Sequence, residues 1–153
     1  MTAPSFQPET VVKDTNCVSA VYLLRDDGAT LLQLRDNKPT IYRPNYWVIP
    51  GGHCELDETL EDCARREFVE ETAYLCPELH FLISFLDEVE GYRYWLNLFW
   101  ALYDEQQQIE CLEGQEIRFV RREEARQFLK VEYLIKYWDV ALNKMAAFNK
   151  YRT

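Results

Sequence analysis

The chain has 153 residues, a length that fits one compact domain burying about two-thirds of its unfolded surface. Hydrophobic residues make up 48% of the chain, which argues against intrinsic disorder. Acidic residues outnumber basic ones by 26 to 17, and the formal charge of −9 disfavours non-specific binding to nucleic-acid backbones or anionic membranes. A small anionic substrate remains compatible with this charge, because a divalent cation reverses the local sign of a site.

The cysteine pattern indicates a reduced protein. The chain has five cysteines without a CxxC pair, namely Cys17, Cys54, Cys63, Cys76 and Cys111. Scattered cysteines of this kind favour a cytoplasmic protein with unpaired thiols over a disulfide scaffold. Residues 1–10 lack the features of a signal peptide, and no apolar run approaches the ~20 residues needed to span a membrane.

The order of apolar runs and turn signals predicts the elements. Residues 1–15 are predicted to form a flexible N-terminal arm, and residues 16–153 a single domain. Apolar runs predict strands at residues 18–24, 30–34, 47–49, 79–86, 94–102 and 117–120. Helices are predicted at 59–72, 123–129 and 132–148, the first of them capped by Thr59 with Asp62 three residues later. This order predicts an α/β fold in which a mixed β-sheet lies between helices.

The helix predicted at 59–72 has acidic residues on its apolar face. Its apolar stripe consists of Leu60, Cys63, Ala64 and Phe68. At about 100° per residue, Glu67 and Glu71 fall inside this stripe and Glu70 lies at its border. A solvated face would oppose the stripe, and converging carboxylates repel one another. A bound cation that compensates this repulsion is therefore the better interpretation.

The ligand type indicates which cation to expect. Carboxylate oxygens suit Mg²⁺, or Mn²⁺, far better than zinc. Arg66 is placed to fix the neighbouring Glu67 by a bidentate bond, or else makes an ordinary surface ion pair.

The segment from Gly52 to Tyr74 resembles the Nudix box. Its pattern is a glycine, five residues, a glutamate, seven residues and then Arg-Glu-apolar-x-Glu-Glu, formed here by Gly52, Glu58, Arg66, Glu67, Phe68, Glu70 and Glu71. The spacing is kept throughout, so the resemblance to the MutT-like Nudix hydrolases is specific. It implies an α/β/α sandwich with a mixed sheet.

The resemblance also implies roles for these residues. The metal would be bound by Glu67, Glu70 and Glu71 together with the backbone carbonyl of Gly51. Arg66 would orient Glu67, and Glu58 would be a supporting carboxylate of the kind that holds metal ligands in place.

One position departs from the family pattern. Ala73 stands where the family usually has glycine, two residues after the glutamate pair. Glycine there would allow a positive φ at the helix end, so we expect an altered helix end and unchanged metal ligands.

A second acidic segment lies far downstream. Glu113-Gly114-Gln115 is similar to the Glu-Gly-Gln segment that carries a catalytic or metal-binding glutamate in the MutT branch. Glu113 is therefore a candidate metal ligand and general base. A glutamate of the box such as Glu70 is the alternative base, Glu116 is the alternative within this segment, and an ordinary exposed acidic loop is the remaining interpretation.

Clues to the substrate are weaker. The candidate substrate-binding residues are Arg35, Tyr46, Trp47 and Asn97. The aromatic side chains, with Tyr42, would stack on a base or belong to the core. Arg35, like Lys38 and Arg43, would meet phosphates or lie on the surface. Asn97 would point into the pocket or satisfy a backbone group.

Taken together, these features predict a Mg²⁺-dependent pyrophosphohydrolase. Water would attack a pyrophosphate bridge with carboxylate and metal assistance, releasing a nucleoside monophosphate and a phosphorylated remainder. The substrate would be a nucleoside diphosphate linked to another moiety, with an ordinary or oxidised nucleoside triphosphate as the first choice. A non-catalytic nucleotide-binding sensor is the alternative, although a pure binder need not keep a costly carboxylate cluster. We expect a monomer or homodimer acting on a small nucleotide, without a nucleic-acid polymer or a membrane as partner.

Overall fold

The structure, a computed structural model, describes residues 6–14 and 16–152. Much of the predicted N-terminal arm, residues 1–5 and 15, therefore lies outside the described residues. The part of the arm that is described contacts the domain. The Phe6 ring packs edge-on against Trp95 at 4.8 Å, and the buried Val12 donates its N–H to the carbonyl of Glu58.

The described chain folds into strands and helices in the order expected. The strands are β1 (Cys17–Leu24), β2 (Thr30–Leu34), β3 (Trp47–Val48), β4 (Gly51–His53), β5 (His80–Val89), β6 (Tyr92–Leu102) and β7 (Glu116–Val120). The helices are α1 (Leu60–Thr72), α2 (Ala125–Phe128) and α3 (Glu132–Lys150), with a 3₁₀ turn at Arg122–Glu124. The predicted helix at 123–129 is thus divided between the 3₁₀ turn and the short α2.

The strands form one mixed sheet, which confirms the predicted fold class. Its main path runs β3-β2-β1-β6-β5, with β4 paired to β1 and β7 paired to β2. β1 and β6 are parallel, whereas the other pairs are antiparallel. The central β1 is buried on both faces, as its continuous apolar run predicts.

Helices cover both faces of this sheet. Successive side chains of a strand point to opposite faces, so Tyr22 packs on the α3 side with Trp138. Val21, its neighbour in β1, packs on the α1 side with Phe68. The resulting α/β/α layers place α1 against β1 and β4, which brings the acidic helix beside the glycine strand.

Strand β4 is not among the predicted strands, because Pro50, Gly51 and Gly52 are residue types that usually break regular structure. In the structure Gly51 pairs with Ala20 of β1, and a Cβ on Gly51 would collide with the Ser19 carbonyl and with Ala20. The glycine is therefore required by a close approach of two backbones.

The prediction of unpaired thiols is wrong for one pair. Cys54 and Cys63 form a disulfide with their Cα atoms 5.2 Å apart, whereas Cys17, Cys76 and Cys111 are free. The segment after β4 turns back onto α1 and brings these two residues together, which their spacing in the sequence does not reveal. Within residues 6–14 and 16–152, no helix is long and apolar enough to cross a membrane.

Candidate active site

Helix α1 carries the acidic residues on the face predicted from the sequence. The Thr59 hydroxyl caps it by accepting a hydrogen bond from the Asp62 N–H at 3.0 Å. Its apolar stripe is fully buried, and Glu71 is buried with it at 4% exposure. The Glu67 side chain is 15% exposed and that of Glu70 is 56% exposed. The three carboxylates therefore span a gradient from core to solvent.

The end of α1 differs from expectation. Ala73 adopts the left-handed conformation, with φ 64° and ψ 4°, and its N–H bonds to the carbonyl of Val69. The expected alteration of the helix end is thus wrong: the chain keeps the turn that glycine would make, at a conformational cost for alanine.

Arg66 joins the outer carboxylates of the site. Its guanidinium binds Glu58 in a bidentate manner, with N–O distances of 2.7 and 3.1 Å. The same group contacts Glu67 at 3.0 Å, Glu70 at 3.2 Å and the His53 carbonyl at 3.1 Å. Burial raises the pKa of Glu58, but hydrogen bonds from Arg66 and the Glu55 N–H outweigh it, and the net shift is downward. Glu58 and Arg66 therefore form a charge-compensated unit.

Strand β4 lies directly against the carboxylates of α1. The Gly51 N–H donates a hydrogen bond to Glu71 at 2.9 Å. A Cβ on Gly52 would meet the carboxylate of Glu67 and force that side chain to move, so glycine here leaves room for the carboxylate. The Gly51 carbonyl was predicted as a metal ligand, and the structure places Gly51 beside the carboxylates of α1.

The downstream Glu113 segment docks on the end of α1. The Leu112 N–H bonds to the carbonyl of Glu71 at 2.9 Å, and the Glu113 carbonyl accepts from Gln33 at 3.2 Å. Gly114 has a φ of 86°, a turn that glycine readily makes. Glu116 points elsewhere and pairs with Arg118 at 2.7 Å. The loop thus presents Glu113 rather than Glu116 to the acidic helix.

Glu113 lies beside Glu71, close enough for its carboxylate to act on the Glu71 carboxyl group. Burial, followed by the contact with Glu113, raises the pKa of Glu71 to about 10. The pKa of Glu67 is also raised, chiefly by burial and in spite of Arg66. Two carboxyl groups held together share a proton when nothing positive separates them. The inner part of the site is therefore short of positive charge.

The residues present fit a hard divalent cation. The carboxylates of Glu67, Glu71 and Glu113 converge on one side of α1, and all their donor atoms are oxygens. Oxygen donors of this kind match Mg²⁺ or Mn²⁺. Glu70, whose side chain is 56% exposed, lies at the outer edge beside Arg66.

A pocket adjoins this acidic site along β4. It has a volume of about 140 Å³, comparable to the ~150 Å³ cavity that accommodates a benzene ring. Gly51, Gly52 and His53 form the wall that it shares with the acidic site, and Arg35 and Tyr42 line the same pocket. The predicted substrate residue Arg35 is therefore at the pocket.

Three other predicted substrate residues lie elsewhere. The Tyr46 ring lies under the Lys130 ammonium, 5.1 Å away. Trp47 packs edge-on against Phe128 with ring centroids 5.2 Å apart. Asn97 is fully buried; its amide group donates to the Val18 carbonyl at 2.9 Å and its oxygen accepts from Ser84. None of these three residues lines the pocket, and each uses its polar or aromatic group in an internal contact.

The pocket also contains a polar cluster of which the sequence indicated only Arg43, as a candidate phosphate contact. The Arg43 guanidinium lies 3.5 Å from the Asp87 carboxylate. The hydroxyls of Tyr94 and Tyr133 both donate to that carboxylate, at 2.6 and 2.9 Å. Arg43, Tyr94 and Tyr133 line the pocket. Their alignment depends on the packing of α3 on the sheet, so spacing along the chain gives no signal for it.

Comparisons with known proteins agree with this architecture. The family model of the NUDIX domain matches residues 14–139. The zebrafish (Danio rerio) m7GpppN-mRNA hydrolase NUDT17 is 41% identical over 70 residues, which cover 46% of this chain and 23% of that protein. The chain thus spans less than a quarter of that relative's length.

Solved structures share the fold at low sequence identity. The MutT protein of Methanosarcina mazei superposes with a TM-score of 0.71 at 18% identity, covering 84% of this chain and 93% of that one. A Caenorhabditis elegans Ap4A hydrolase gives 0.71 at 17% identity, covering 85% and 97%. With a family model that matches most of the chain, and with a box whose glycines and glutamates meet in one site, the chain belongs to the Nudix hydrolase family.

Proposed function

We propose that the chain is a Mg²⁺-dependent pyrophosphohydrolase that cleaves a nucleoside diphosphate linked to another moiety. The observation that carries this proposal is the inner carboxyl pair, in which Glu113 lies beside the buried Glu71 and the Gly51 N–H donates to Glu71. Such a pair is unfavourable unless a proton or a cation compensates it. A phosphate-bound divalent cation provides that compensation and gives the pair a chemical role.

Each part of the site would perform one task. Arg66 holds Glu58 and Glu67 in place, and the Gly51 N–H fixes the orientation of the Glu71 carboxylate. Glu113, on a loop docked to α1, accepts the proton of the attacking water. Bound Mg²⁺ would neutralise the phosphate oxygens and help to deprotonate that water. The neighbouring pocket accommodates an organic ring of the substrate.

The class of substrate follows from this geometry and from the relatives. A ring-sized pocket beside an acidic metal-binding face suits a nucleotide whose phosphates reach the metal. A zebrafish relative carries the name m7GpppN-mRNA hydrolase, and a structural neighbour is an Ap4A hydrolase. Cap dinucleotides and dinucleoside polyphosphates therefore join ordinary and oxidised nucleoside triphosphates as substrates to test. We further propose a monomer or homodimer in the cytoplasm, where the Cys54–Cys63 disulfide would be an exception to the usual reduced state of thiols.

A hydrolysis screen tests this function. The protein is incubated with Mg²⁺ and a panel of nucleoside triphosphates, 8-oxo nucleotides, nucleotide sugars, dinucleoside polyphosphates and cap analogues, and the products are identified by mass. We expect metal-dependent release of a nucleoside monophosphate that is lost in Glu71→Gln and kept in the matched surface variant Glu116→Gln. Tight binding of a nucleotide without turnover of any compound would instead support the sensor alternative.

A further inference from the structure

We propose that the Cys54–Cys63 disulfide is a positioning element of the metal site, so that metal affinity depends on the oxidation state of this pair. The inference rests on the proposed function, because it concerns how the same carboxylates are held. Cys54 directly follows β4, and Cys63 lies on α1 one turn before Glu67. The bond therefore links the glycine strand to the acidic helix.

The spacing between these two elements sets the geometry of the site. Each residue of β4 meets a different functional group: Gly51 bonds to Glu71, Gly52 faces the Glu67 carboxylate and the His53 carbonyl accepts from Arg66. A small shift of β4 relative to α1 would disturb all three contacts at once. The disulfide restrains that shift at the end of β4.

Cys54 is itself anchored to the central sheet. Its N–H donates to the Cys17 carbonyl at 2.8 Å, and its sulfur lies 3.4 Å from the Ser19 hydroxyl. The Ser19 hydroxyl also donates to the Leu60 carbonyl, at the start of α1, at 3.1 Å. The disulfide thus completes a connection from β1 through β4 to α1. Partners of this indirect kind typically change metal affinity by about 10–100-fold when they are removed.

A metal ion bound by the cysteines themselves is the competing assignment. Ligand atoms of Cys54, Cys63 and Glu58 lie within 4.8 Å of one another. In the structure both sulfurs are used in the disulfide, and both oxygens of Glu58 are used by Arg66. The geometry therefore favours the covalent bond.

Formation of the bond is a two-electron oxidation. The two thiols lose two protons and two electrons to a small disulfide such as glutathione disulfide, which is reduced to two thiols by exchange. Cys54 and Cys63 are 2% and 0% exposed, so the bond is protected while the site is closed. A reductant reaches it when the segment between β4 and α1 opens locally.

A count of free thiols tests whether the bond exists. The protein is purified without reductant, unfolded and alkylated, and then weighed. We expect three alkylated cysteines, which peptide mapping identifies as Cys17, Cys76 and Cys111. Five alkylated cysteines, with or without zinc in the metal analysis of the intact protein, would overturn the proposal.

Binding of Mn²⁺ without substrate tests the positioning role. Free Mn²⁺ is measured by electron paramagnetic resonance for the oxidised protein, for the protein reduced with a phosphine, and for the double variant Cys54→Ala, Cys63→Ala. We expect about tenfold weaker binding in the last two samples. Cys76→Ser, the matched variant of a buried free cysteine, should bind as the wild type does.

The outcomes separate the two proposals. Unchanged Mn²⁺ affinity after reduction, in a protein whose circular dichroism spectrum is also unchanged, would overturn the positioning role alone. Failure of the oxidised wild type to bind Mn²⁺ would contradict the proposed function as well. If the double variant does not fold, the Mn²⁺ affinities of the oxidised and reduced wild type still test the positioning role.

Discussion

The two halves of the carboxylate cluster differ in how their charge is balanced. In the outer half, Glu58 and Glu67 are bound by the guanidinium of Arg66. In the inner half, Glu71 and Glu113 contact each other and have a backbone N–H, but no arginine or lysine of the described residues forms an ion pair with them.

This difference shows in which part of the site the protein's own side chains balance the negative charge of the carboxylates. A carboxylate bound by arginine is stable in its charged form, and a bidentate bond also fixes its orientation. Glu71 is buried and has the carboxylate of the exposed Glu113 beside it, and these two causes raise its pKa to about 10. The outer half therefore supports the geometry, and the inner half is the place where we propose that a bound cation stabilises the site most.

Glu71→Gln breaks the inner half and should have the largest effect. The amide keeps the shape and the contact with the Gly51 N–H region but is a poor ligand for Mg²⁺, so we expect hydrolysis to fall about 10³-fold, or about 4 kcal/mol of barrier. Because burial already keeps Glu71 neutral without metal, thermal unfolding of the metal-free variant should be nearly unchanged. Loss of activity accompanied by global unfolding would contradict this interpretation.

Glu113→Gln tests the other member of the inner pair. Loss of a general base or ligand should lower kcat by about 10²-fold, with little change in the KM of the nucleotide. Glu116→Gln, three residues away and paired with Arg118, is the matched control and should stay within about twofold of the wild type. The kcat values of Glu113→Gln and Glu116→Gln are compared by steady-state kinetics at saturating Mg²⁺. Equal losses of kcat in the two variants would argue against a special role of Glu113.

Arg66→Ala breaks the outer half. Glu58 and Glu67 lose their partner, so we expect activity to fall some tens-fold and the free energy of unfolding to fall by about 2 kcal/mol. Arg66→Lys keeps the charge but not the bidentate geometry and should be intermediate. Urea denaturation together with kinetics measures both effects; a variant with lower activity and unchanged stability would mean that Arg66 acts on the substrate instead.

Ala73→Gly should have the smallest effect, because Ala73 belongs to neither half of the carboxylate cluster. It serves as a reference for the variants inside the cluster. Alanine in the left-handed conformation is strained, so glycine should raise the free energy of unfolding by up to about 1 kcal/mol. Because Ala73 is not a metal ligand, kcat should stay within about twofold. Denaturant midpoints check the first expectation, and a destabilised variant would show that the turn at Ala73 is not strained.

Helix α1 and the loop of Glu113, the two segments that form the carboxylate cluster, differ in how far the sequence reveals them. The helical periodicity of α1 places Glu67 and Glu71 on the buried face, and the structure has Glu71 buried there. The approach of Glu113 depends on backbone bonds between its loop and the end of α1, such as Leu112 to Glu71. Such long-range pairing leaves no periodic signal, so only the resemblance of Glu113-Gly114-Gln115 to a family segment indicated it.

The pocket along β4 is the region whose lining residues the sequence predicts least well. Tyr46 and Trp47 are aromatic residues near the box, yet their rings pack against Lys130 and Phe128. The polar cluster around Arg43 joins a loop, two strands and α3, and each of its residues is unremarkable in sequence. Tertiary packing sets the orientation of these side chains, and the residue type alone does not reveal that orientation.

The central claim is that a divalent cation binds at the inner carboxyl pair and stabilises the protein. Thermal unfolding at increasing Mg²⁺ concentrations tests this claim most directly, because it measures that stabilisation. The wild type should be stabilised by about 2.7 kcal/mol when Mg²⁺ reaches 100 times its Kd, and Glu71→Gln should lose most of that stabilisation. Equal stabilisation of the two proteins, or none of the wild type, would contradict the account.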